Sequence, residues 1–332
     1  MNIFKRIFSI EKNEDLLVIN IFFFKIKFKK DISNKTLELK INTLEQEIKS
    51  KLSTILANEV RFFDMYVPPK KKMELNFLSI HLVDKCNNNC ESCSHFCTLA
   101  DNFKLNIKDF ERQLTILSQK FHIKEIDLMG GEPLLHPEIN TFFDITRKIL
   151  PDTFICLHTN AILLPKMDET FWDSCRRNSI AFKITKYPTV EDFSSLLDLC
   201  LEKGVWIAGI INGKTFLHWM DKTGQGNIEE NFFACKSKFG YCYILRDYRL
   251  YTCPTACYMN LYNSAFNTHI PEEKGIDIIT ASDEEIIKYL NTPLSTCKYC
   301  RNVHNLTPRP WRRSSRAEWE WDDAIYREQG EQ

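Results

Sequence analysis

Four cysteines stand close together in the stretch CNNNCESCSHFC, which begins at Cys86. Three residues separate Cys86 from Cys90, and two separate Cys90 from Cys93. A loop with this spacing wraps three thiolates around one face of an iron–sulfur cube, and the fourth iron stays open to a small molecule. A structural zinc site would need a fourth ligand, which Cys97 or His95 would supply. The stretch therefore predicts a metal centre, with iron–sulfur and zinc as the alternatives.

A second group of cysteines follows residue 231. It comprises Cys235, Cys242, Cys253, Cys257, Cys297 and Cys300. Cys297 and Cys300 form a chelating pair, because two intervening residues let both thiolates reach one metal. For this group too, an iron–sulfur cluster and a zinc ribbon-like knot are the alternatives.

The chain around these cysteines alternates between strand-like and helix-like segments. The apolar strand-like segments cover 77–83, 123–129, 153–159, 180–185 and 205–211. Helical spacing of apolar residues marks one helix from Ile107 to Leu117 and another across 137–150. Short apolar strands that alternate with helices predict parallel βαβ units, with the functional site at the carboxyl ends of the strands. Cys86 follows the first strand, at such an end.

The beginning and the end of the chain predict additional segments. Residues 16–30 have the pattern of one or two strands, and 34–60 has apolar residues at helical spacing. The prolines and lysines of VPPKKK are typical of a linker. The expected parts are an N-terminal α/β extension, a core, a small cysteine-rich domain and a C-terminal tail, at 1–72, 73–230, 231–310 and 311–332. We expect a helix at 318–332 that frays into solvent.

Composition and charge exclude several classes of protein. The 332 residues include 44 basic and 44 acidic side chains, so no overall charge points to nucleic acid. The apolar stretch at 16–24 is too short to span a bilayer, has acidic residues before it and lacks a signal-peptide cleavage site. These features predict a cytoplasmic protein without a transmembrane segment. Its 13 cysteines would then be reduced and available to metals.

The first cysteine loop and a second motif together resemble the radical S-adenosylmethionine (radical SAM) superfamily. Cys86, Cys90 and Cys93 match its cysteine signature, and MGGEPLLHP at 129–137 matches its glycine-rich motif. The resemblance covers about residues 75–230 and implies an α/β fold with a partial (β/α)6 barrel. It also implies a core 4Fe–4S cluster on the three cysteines and S-adenosylmethionine on the open iron. Reductive cleavage of that cofactor releases a 5′-deoxyadenosyl radical.

The resemblance further implies which residues contact S-adenosylmethionine. They are Gly130, Gly131, Glu132, Pro133, Thr159, Asn160 and Thr185. The two glycines are expected to let the backbone approach the methionyl amine closely. The chain departs from the family at two places, since Ala161 replaces a usual glycine and Ser92 replaces an aromatic residue near the adenine.

The second cysteine group resembles the twitch domain, a shortened relative of the SPASM domain that holds one auxiliary 4Fe–4S cluster. In that pattern, one cysteine stands about a dozen residues before a turn glycine and another stands shortly after it. Here Tyr248 occupies the place of the glycine. The implied ligands are Cys235, Cys253, Cys297 and Cys300, with Cys242 as the alternative to Cys235.

An auxiliary cluster held by four thiolates has no open iron, which favours a role as acceptor of an electron from a substrate radical. Oxidation of an alcohol carbon also requires a base. Lys186 and Tyr187, which follow the fourth strand beside Lys183, are the candidates, and an ordinary surface loop is the alternative.

The stretches SHFCTLAD and ILRDYRLYTCP resemble radical SAM proteins of bacterial surface-polysaccharide biosynthesis. This resemblance implies a small-molecule substrate, a sugar or nucleotide sugar, and an electron donor such as flavodoxin or ferredoxin. One alternative is a peptide-modifying radical SAM maturase. The other, from a different class, is a non-enzymatic zinc-binding module.

Overall fold

The structure is a computed structural model that describes residues 8–12, 16–21, 24–29, 72–240 and 242–322. The chain forms two compact units, residues 1–60 and residues 61–332. The helix predicted at 34–60 lies outside the described residues. No helix in the described part of the chain has the length and apolar character needed to cross a membrane.

The first unit contains a three-stranded antiparallel sheet. Its strands are β1 (Phe8–Lys12), β2 (Leu16–Ile21) and β3 (Phe24–Lys29), in that spatial order. The sequence pattern at 16–30 thus corresponds to two strands, and β1 was not predicted. Leu16 pairs with Lys29 at one end of the second hairpin, and Ile21 pairs with Phe24 at the other.

The second unit begins with alternating strands and helices. In chain order these are β4 (Met73–Leu75), β5 (Leu78–Val83), α1 (Ile107–Lys120), β6 (Phe121–Ile123), β7 (Glu125–Gly130), α2 (Ile139–Ile149), β8 (Phe154–Thr159), α3 (Glu169–Arg177), β9 (Ile180–Lys186), α4 (Phe193–Glu202), β10 (Ile207–Asn212) and β11 (Thr215–Phe216). Strands β5, β7, β8, β9 and β10 lie side by side and parallel, in chain order. The predicted α/β class and parallel arrangement are therefore confirmed, and both are consistent with a partial barrel.

The two faces of this sheet differ because side chains alternate along each strand. On one face, Leu78, Ile80 and Leu82 of β5 join the same buried apolar core as Phe110 and Leu114 of α1. The intervening residues of the strands point to the other face. The polar residues among them are Ser79, His81, Glu125, Asp127, Cys156, His158, Lys183 and Thr185. We call this second face the inner face.

The cysteine-rich part extends the same sheet. Its elements are α5 (Ile228–Phe239), β12 (Ile244–Arg246), β13 (Arg249–Tyr251), α6 (Pro254–Cys257), α7 (Met259–Phe266), β14 (Ile276–Asp277), α8 (Asp283–Leu290) and β15 (Arg309–Pro310). Strand β12 pairs in parallel with β5 and supplies a sixth parallel strand on the side of β5 opposite β7. Strands β13 and β14 follow as antiparallel neighbours.

The turn between β12 and β13 explains the predicted glycine position. Asp247 and Tyr248 have φ values of 49° and 61°, in the left-handed region that favours glycine. Tyr248 is held there by its backbone N–H, which donates to Gln113 at 2.8 Å, and by its hydroxyl, which lies 3.1 Å from Asp109. Tertiary contacts thus support a non-glycine residue at a glycine-type turn.

The end of the described chain is packed rather than exposed. Trp321 has 0% exposure and lies in an apolar cluster with Phe96 and Tyr262. Glu318–Glu320 forms a single turn of 3-10 helix. The expectation that 318–332 frays into solvent is therefore wrong for residues up to 322, and 323–332 lie outside the described residues.

Candidate functional site

The first three cysteines lie in a loop directly after β5, and nitrogen donors point at their sulfurs. The backbone N–H of Asn88 donates to Cys86 Sγ at 3.4 Å, and its side-chain amide donates to Cys90 Sγ at 3.2 Å. Tyr187 and Trp311 also lie beside Cys90, and both lower the pKa of its thiol. Donors around a sulfur stabilise its anionic form, so the site fits thiolate ligands.

In the absence of a metal, burial keeps two of these thiols protonated. It raises the pKa of Cys86 and of Cys90 to about 12. The pKa of Cys93 is instead lowered to about 7, first by the neighbouring Cys97 side chain and then by backbone N–H groups of the loop. Metal binding at this loop would therefore release protons.

A single metal ion requires ligand atoms that lie close together. Thiolates on one tetrahedral zinc ion, at Zn–S distances of about 2.3 Å, stand about 3.8 Å apart. Within the described ranges, one group of three or more Cys, His, Asp or Glu ligand atoms lies within 4.8 Å of one another: Glu125, Asp127 and Cys156. Within these ranges, the three core cysteines do not form a group of this kind.

The glycine-rich motif packs against the cysteine loop. A Cβ atom on Gly130 would lie 2.1 Å from the carbonyl oxygen of Val83, and one on Gly131 would lie 2.2 Å from that of Lys85. The Gly131 N–H donates to the Val83 carbonyl at 2.9 Å. Both glycines are therefore required for the close approach of two backbones. Contact of this turn with a methionyl amine remains a prediction.

Glu132 connects the glycine-rich motif to the end of β8. Its carboxylate accepts hydrogen bonds from the Thr159 hydroxyl at 2.6 Å, the Asn160 N–H at 2.8 Å and the Leu134 N–H at 3.2 Å. Burial nevertheless raises its pKa to about 7. The Asn160 side-chain amide in turn lies 3.7 Å from Cys86 Sγ. Glu132, Thr159, Asn160 and Cys86, which are distant in sequence, therefore form one continuous site.

The candidate bases after β9 lie away from the inner face. Tyr187 stacks on Phe216 and lies beside Cys90, and burial raises its pKa well above the ordinary value. The Nζ atom of Lys186 lies 4.6 Å from the centre of the Phe193 ring. Tyr187 thus lies beside a core cysteine, and Lys186 packs against α4.

The inner face carries titratable residues that the sequence analysis did not single out. His158 on β8 lies between Asp127, 3.6 Å from its Nδ1, and Thr185, whose hydroxyl is 3.1 Å from its Nε2. Its side chain is 24% exposed, whereas that of Asp127 is 3% exposed. The sequence did contain a signal for these residues, because polar side chains stand at every second position of the apolar strands.

Two further histidines lie beside the cysteine loop. His81 of β5 stacks between His95 and Tyr258, and its Nε2 lies 2.7 Å from Nδ1 of His95. Burial lowers the pKa of both histidines, so they are neutral at pH 7. Nδ1 of His81 lies 3.1 Å from Asp84.

Asp84 also joins the cysteine loop to the C-terminal hairpin. Its carboxylate accepts two hydrogen bonds from Arg246 of β12, at 2.7 and 2.9 Å. Burial opposes ionisation of this carboxyl, but bonds to His81 and Arg246 hold its pKa below the usual value. The Arg246 guanidinium also lies 3.9 Å from the centre of the Phe103 ring. The hairpin and the cysteine loop are therefore fixed to each other.

The four predicted ligands of the second cysteine group come from three separate segments. The thiolate charges of Cys253, Cys297 and Cys235 each add to burial in raising the pKa of Cys300. Burial and then Cys253 raise the pKa of Cys297 to about 12. The side-chain amide of Asn231 donates to the carbonyls of Cys297 and Cys300, at 3.0 and 2.5 Å. The predicted set thus comes together around one space.

The alternative ligand and the remaining cysteine have different surroundings. Cys242 lies near Cys253, whose charge adds to burial in raising its pKa to about 11. Cys257 is half-buried near Arg246 and Asp84, on the side of the core loop. The choice between Cys235 and Cys242 as a ligand therefore stays a prediction.

Comparison with known proteins agrees with this geometry. Residues 80–212 match the family model of the radical SAM superfamily. The chain therefore carries a radical SAM domain, which confirms the resemblance seen in the two sequence motifs. A domain of this kind implies a 4Fe–4S cluster and S-adenosylmethionine.

The similar curated proteins are aligned over part of their length. GTP 3′,8-cyclase of Clostridium perfringens (strain SM101 / Type A) is 31% identical over 144 residues, which cover 40% of this chain and 45% of that protein. GTP 3′,8-cyclase of Sulfurovum sp. (strain NBC37-1) is 26% identical over 102 residues, 30% of this chain and 31% of that protein. The chain thus spans less than half the length of these relatives.

Solved structures with a similar fold include two bound to AdoMet. BtrN in complex with AdoMet and 2-DOIA has a TM-score of 0.43 at 13% identity, covering 70% of this chain and 95% of that one. Native anSMEcpe with bound AdoMet has a TM-score of 0.43 at 13% identity, covering 68% and 82%.

Proposed function

We propose that this protein reductively cleaves S-adenosylmethionine and abstracts a hydrogen atom from a small-molecule substrate. The observation that carries the proposal is the convergence of Cys86, Cys90 and Cys93, with donors on their sulfurs, against the GGE turn. When bound, the 4Fe–4S cluster and S-adenosylmethionine supply the 5′-deoxyadenosyl radical. The three cysteines hold the cluster, and Glu132 fixes Thr159 and Asn160 at the edge of the cofactor site.

The inner face is the substrate side in this proposal. The charged side chains of this face pair with one another, since Lys183 lies 2.9 Å from Asp127 and also pairs with Glu125, and one net negative charge remains. The hydrogen-bonding groups of His158 and Thr185 then remain for the ligand. A face of this kind suits the hydroxyl-rich part of a sugar better than a phosphate. A nucleotide sugar is therefore the proposed substrate, and the curated relatives are likewise named for a nucleotide, GTP.

His158 is the proposed base for a substrate hydroxyl. Asp127 orients its ring from one side, and its partly exposed edge faces the space beside Thr185. This is the arrangement of a base held by a carboxylate. His158 replaces Lys186 and Tyr187 in the proposed role, because those two side chains pack elsewhere.

The cysteine-rich domain completes the proposed reaction. Cys235, Cys253, Cys297 and Cys300 would hold one auxiliary 4Fe–4S cluster, which can accept the electron that a substrate radical gives up. Loss of a hydrogen atom, a proton and an electron from a substrate carbinol would together give a carbonyl, and the proton is the part assigned to His158.

The experiment uses reconstituted enzyme under anaerobic conditions with dithionite and a panel of deuterated nucleotide sugars and peptides. Deuterium in the released 5′-deoxyadenosine identifies the substrate. His158→Gln should still release 5′-deoxyadenosine but form product at least about 100-fold more slowly. Lys186→Gln is the matched control and should behave as wild type. Deuterium transfer from a peptide alone would replace the sugar proposal by the maturase alternative.

A further inference from the structure

A short basic segment lies directly along the core cysteine loop. The Glu91 N–H donates to the Arg312 carbonyl at 3.0 Å, and the Ser314 N–H donates to the Asn89 carbonyl at 2.8 Å. Between these bonds, Cys90 and Arg313 form an antiparallel β-bridge. Residues opposite each other in such a pair have Cα atoms about 5 Å apart. We call residues 311–316 the basic clamp.

The basic clamp is anchored at both ends. At its start, the backbone N–H of Trp311 donates to the Lys214 carbonyl at 2.7 Å, and the indole lies beside Cys90. Near its end, the buried Glu320 carboxylate accepts from the Ser315 N–H and hydroxyl, both at 2.6 Å. The backbone of the segment is therefore held in place against the cysteine loop.

The exposed side chains of the clamp are positive. Arg312, Arg313 and Arg316 are exposed, and Lys214, also exposed, adjoins Trp311. Within the described part of the chain, no carboxylate lies within 4.0 Å of these three guanidinium groups. The nearby acids have other partners, since Glu91 pairs with His218 and Glu318 pairs with Lys222. A positive patch thus covers the loop that would hold the core cluster.

We propose that the basic clamp is the docking surface for an acidic one-electron carrier protein that reduces the core cluster. The inference rests on the proposed function, which requires one electron for each cleavage of S-adenosylmethionine. The carrier is oxidised by one electron, and that electron breaks the 5′ carbon–sulfur bond, giving methionine and the 5′-deoxyadenosyl radical. Opposite charges steer such partners together, and the backbone pairing with Cys90 brings the docked carrier beside the cluster.

The test compares two reductants and a direct binding measurement. The probe is a flavodoxin of net negative charge, used in its reduced form for turnover and its oxidised form for calorimetric titration. The triple variant Arg312→Gln, Arg313→Gln, Arg316→Gln should bind flavodoxin about tenfold or more weakly. With reduced flavodoxin below saturation, the rate at which this variant forms 5′-deoxyadenosine should fall by a similar factor. With dithionite, its rate should equal that of wild type, and its iron content should be unchanged. Wild-type binding should weaken as salt is raised, and the variant should lose most of that dependence.

Two control variants separate docking from structure. Replacing the same three arginines by lysine keeps the charge and should keep the binding. Replacing Lys108, Lys148 and Lys288, which are exposed lysines on α1, α2 and α8, by glutamine changes the net charge equally and should leave binding unchanged.

Unchanged flavodoxin binding in the clamp glutamine variant would overturn the proposal. Loss of iron and of dithionite-driven cleavage in that variant would also overturn it, because the arginines would then have a structural role. If the variant of α1, α2 and α8 binds flavodoxin as weakly as the clamp variant does, flavodoxin is attracted to the net charge of the protein and does not dock at the clamp. Failure of wild type to cleave the cofactor with dithionite would refute the proposed function instead, and the binding data would still be interpretable.

Discussion

The indole N–H of Trp321 donates a hydrogen bond to the backbone carbonyl of Cys93, at 3.0 Å, across 228 positions of sequence. Cys93 is the last cysteine of the core signature, and Trp321 is fully buried against Phe96 and Phe266. The end of the described chain thus supports the loop that is proposed to hold the core cluster.

Removal of the Trp321 side chain should therefore weaken both the fold and the metal site. We expect Trp321→Ala to lower the free energy of unfolding by about 3–5 kcal/mol. Reconstituted protein should lose core iron more readily than auxiliary iron. The measurements are urea denaturation and anaerobic iron counting. Trp206→Ala is the control, because Trp206 is 66% exposed, and it should change stability by less than about 1 kcal/mol. Equal effects of the two substitutions would contradict this account.

The auxiliary cysteines are predicted to serve turnover and not cofactor cleavage. A Cys297→Ala, Cys300→Ala protein should lose about four irons per chain, since these two thiolates belong to one proposed cluster. It should still release 5′-deoxyadenosine with dithionite, because the core cysteines lie on a different loop, but it should form no product. Normal product formation by this variant would refute the role as electron acceptor.

Single variants decide between the two candidate ligands of the auxiliary site. Cys235→Ala should lose auxiliary iron, whereas Cys242→Ala should retain it. The structure places Cys235 within electrostatic reach of Cys253, Cys242 and Cys297. The reverse outcome would exchange the two residues in the ligand set.

The raised pKa of Glu132 predicts how the free energy of unfolding depends on pH. Burial raises its pKa in the folded protein to about 7, against 4.5 for the free side chain. Between these pH values the folded protein binds more protons than the unfolded chain, so stability from this group falls as the pH rises. The contribution of Glu132 to the free energy of unfolding should fall by about 3 kcal/mol from pH 4 to pH 7.5.

The measurement is chemical denaturation of the metal-free protein across that pH range, for wild type and for Glu132→Gln. Subtracting the two curves removes the contribution of histidines such as His81 and His95, which is present in both proteins. As the pH rises, the free energy of unfolding of the wild type should fall by about 3 kcal/mol relative to that of the variant. Parallel curves would show that Glu132 titrates normally.

The parts of this protein that could be predicted from its sequence are those with local signals. The strands could be predicted because their apolar residues follow one another in short runs. The metal loop and the turn could be predicted because the core cysteine spacing and the GGEP motif each span only a few residues. The residues that contact these motifs could not be predicted, because their partners are distant in sequence. Glu132 meets Thr159, and Asp84 meets Arg246, through the register of the sheet.

The substrate side was missed for a related reason. His158 and Asp127 are single polar residues inside apolar strands, and neither belongs to a motif. Their proximity follows from the pairing of β7 with β8, which places Asp127 opposite Cys156, two residues before His158 on the same face. The basic clamp was missed because a charged terminal segment is typical of an exposed tail.

The most direct test of the central claim compares two neighbouring thiols. Cys93 and Cys97 are neighbours whose side chains influence each other's pKa, yet the proposal makes Cys93 a ligand of the core cluster and leaves Cys97 outside it. After anaerobic reconstitution, Cys93→Ala should lose about four irons per chain and release no 5′-deoxyadenosine with dithionite. Cys97→Ala should keep its iron and cleave S-adenosylmethionine at the wild-type rate. Cofactor cleavage by Cys93→Ala, or loss of the core iron from Cys97→Ala, would contradict the proposed site.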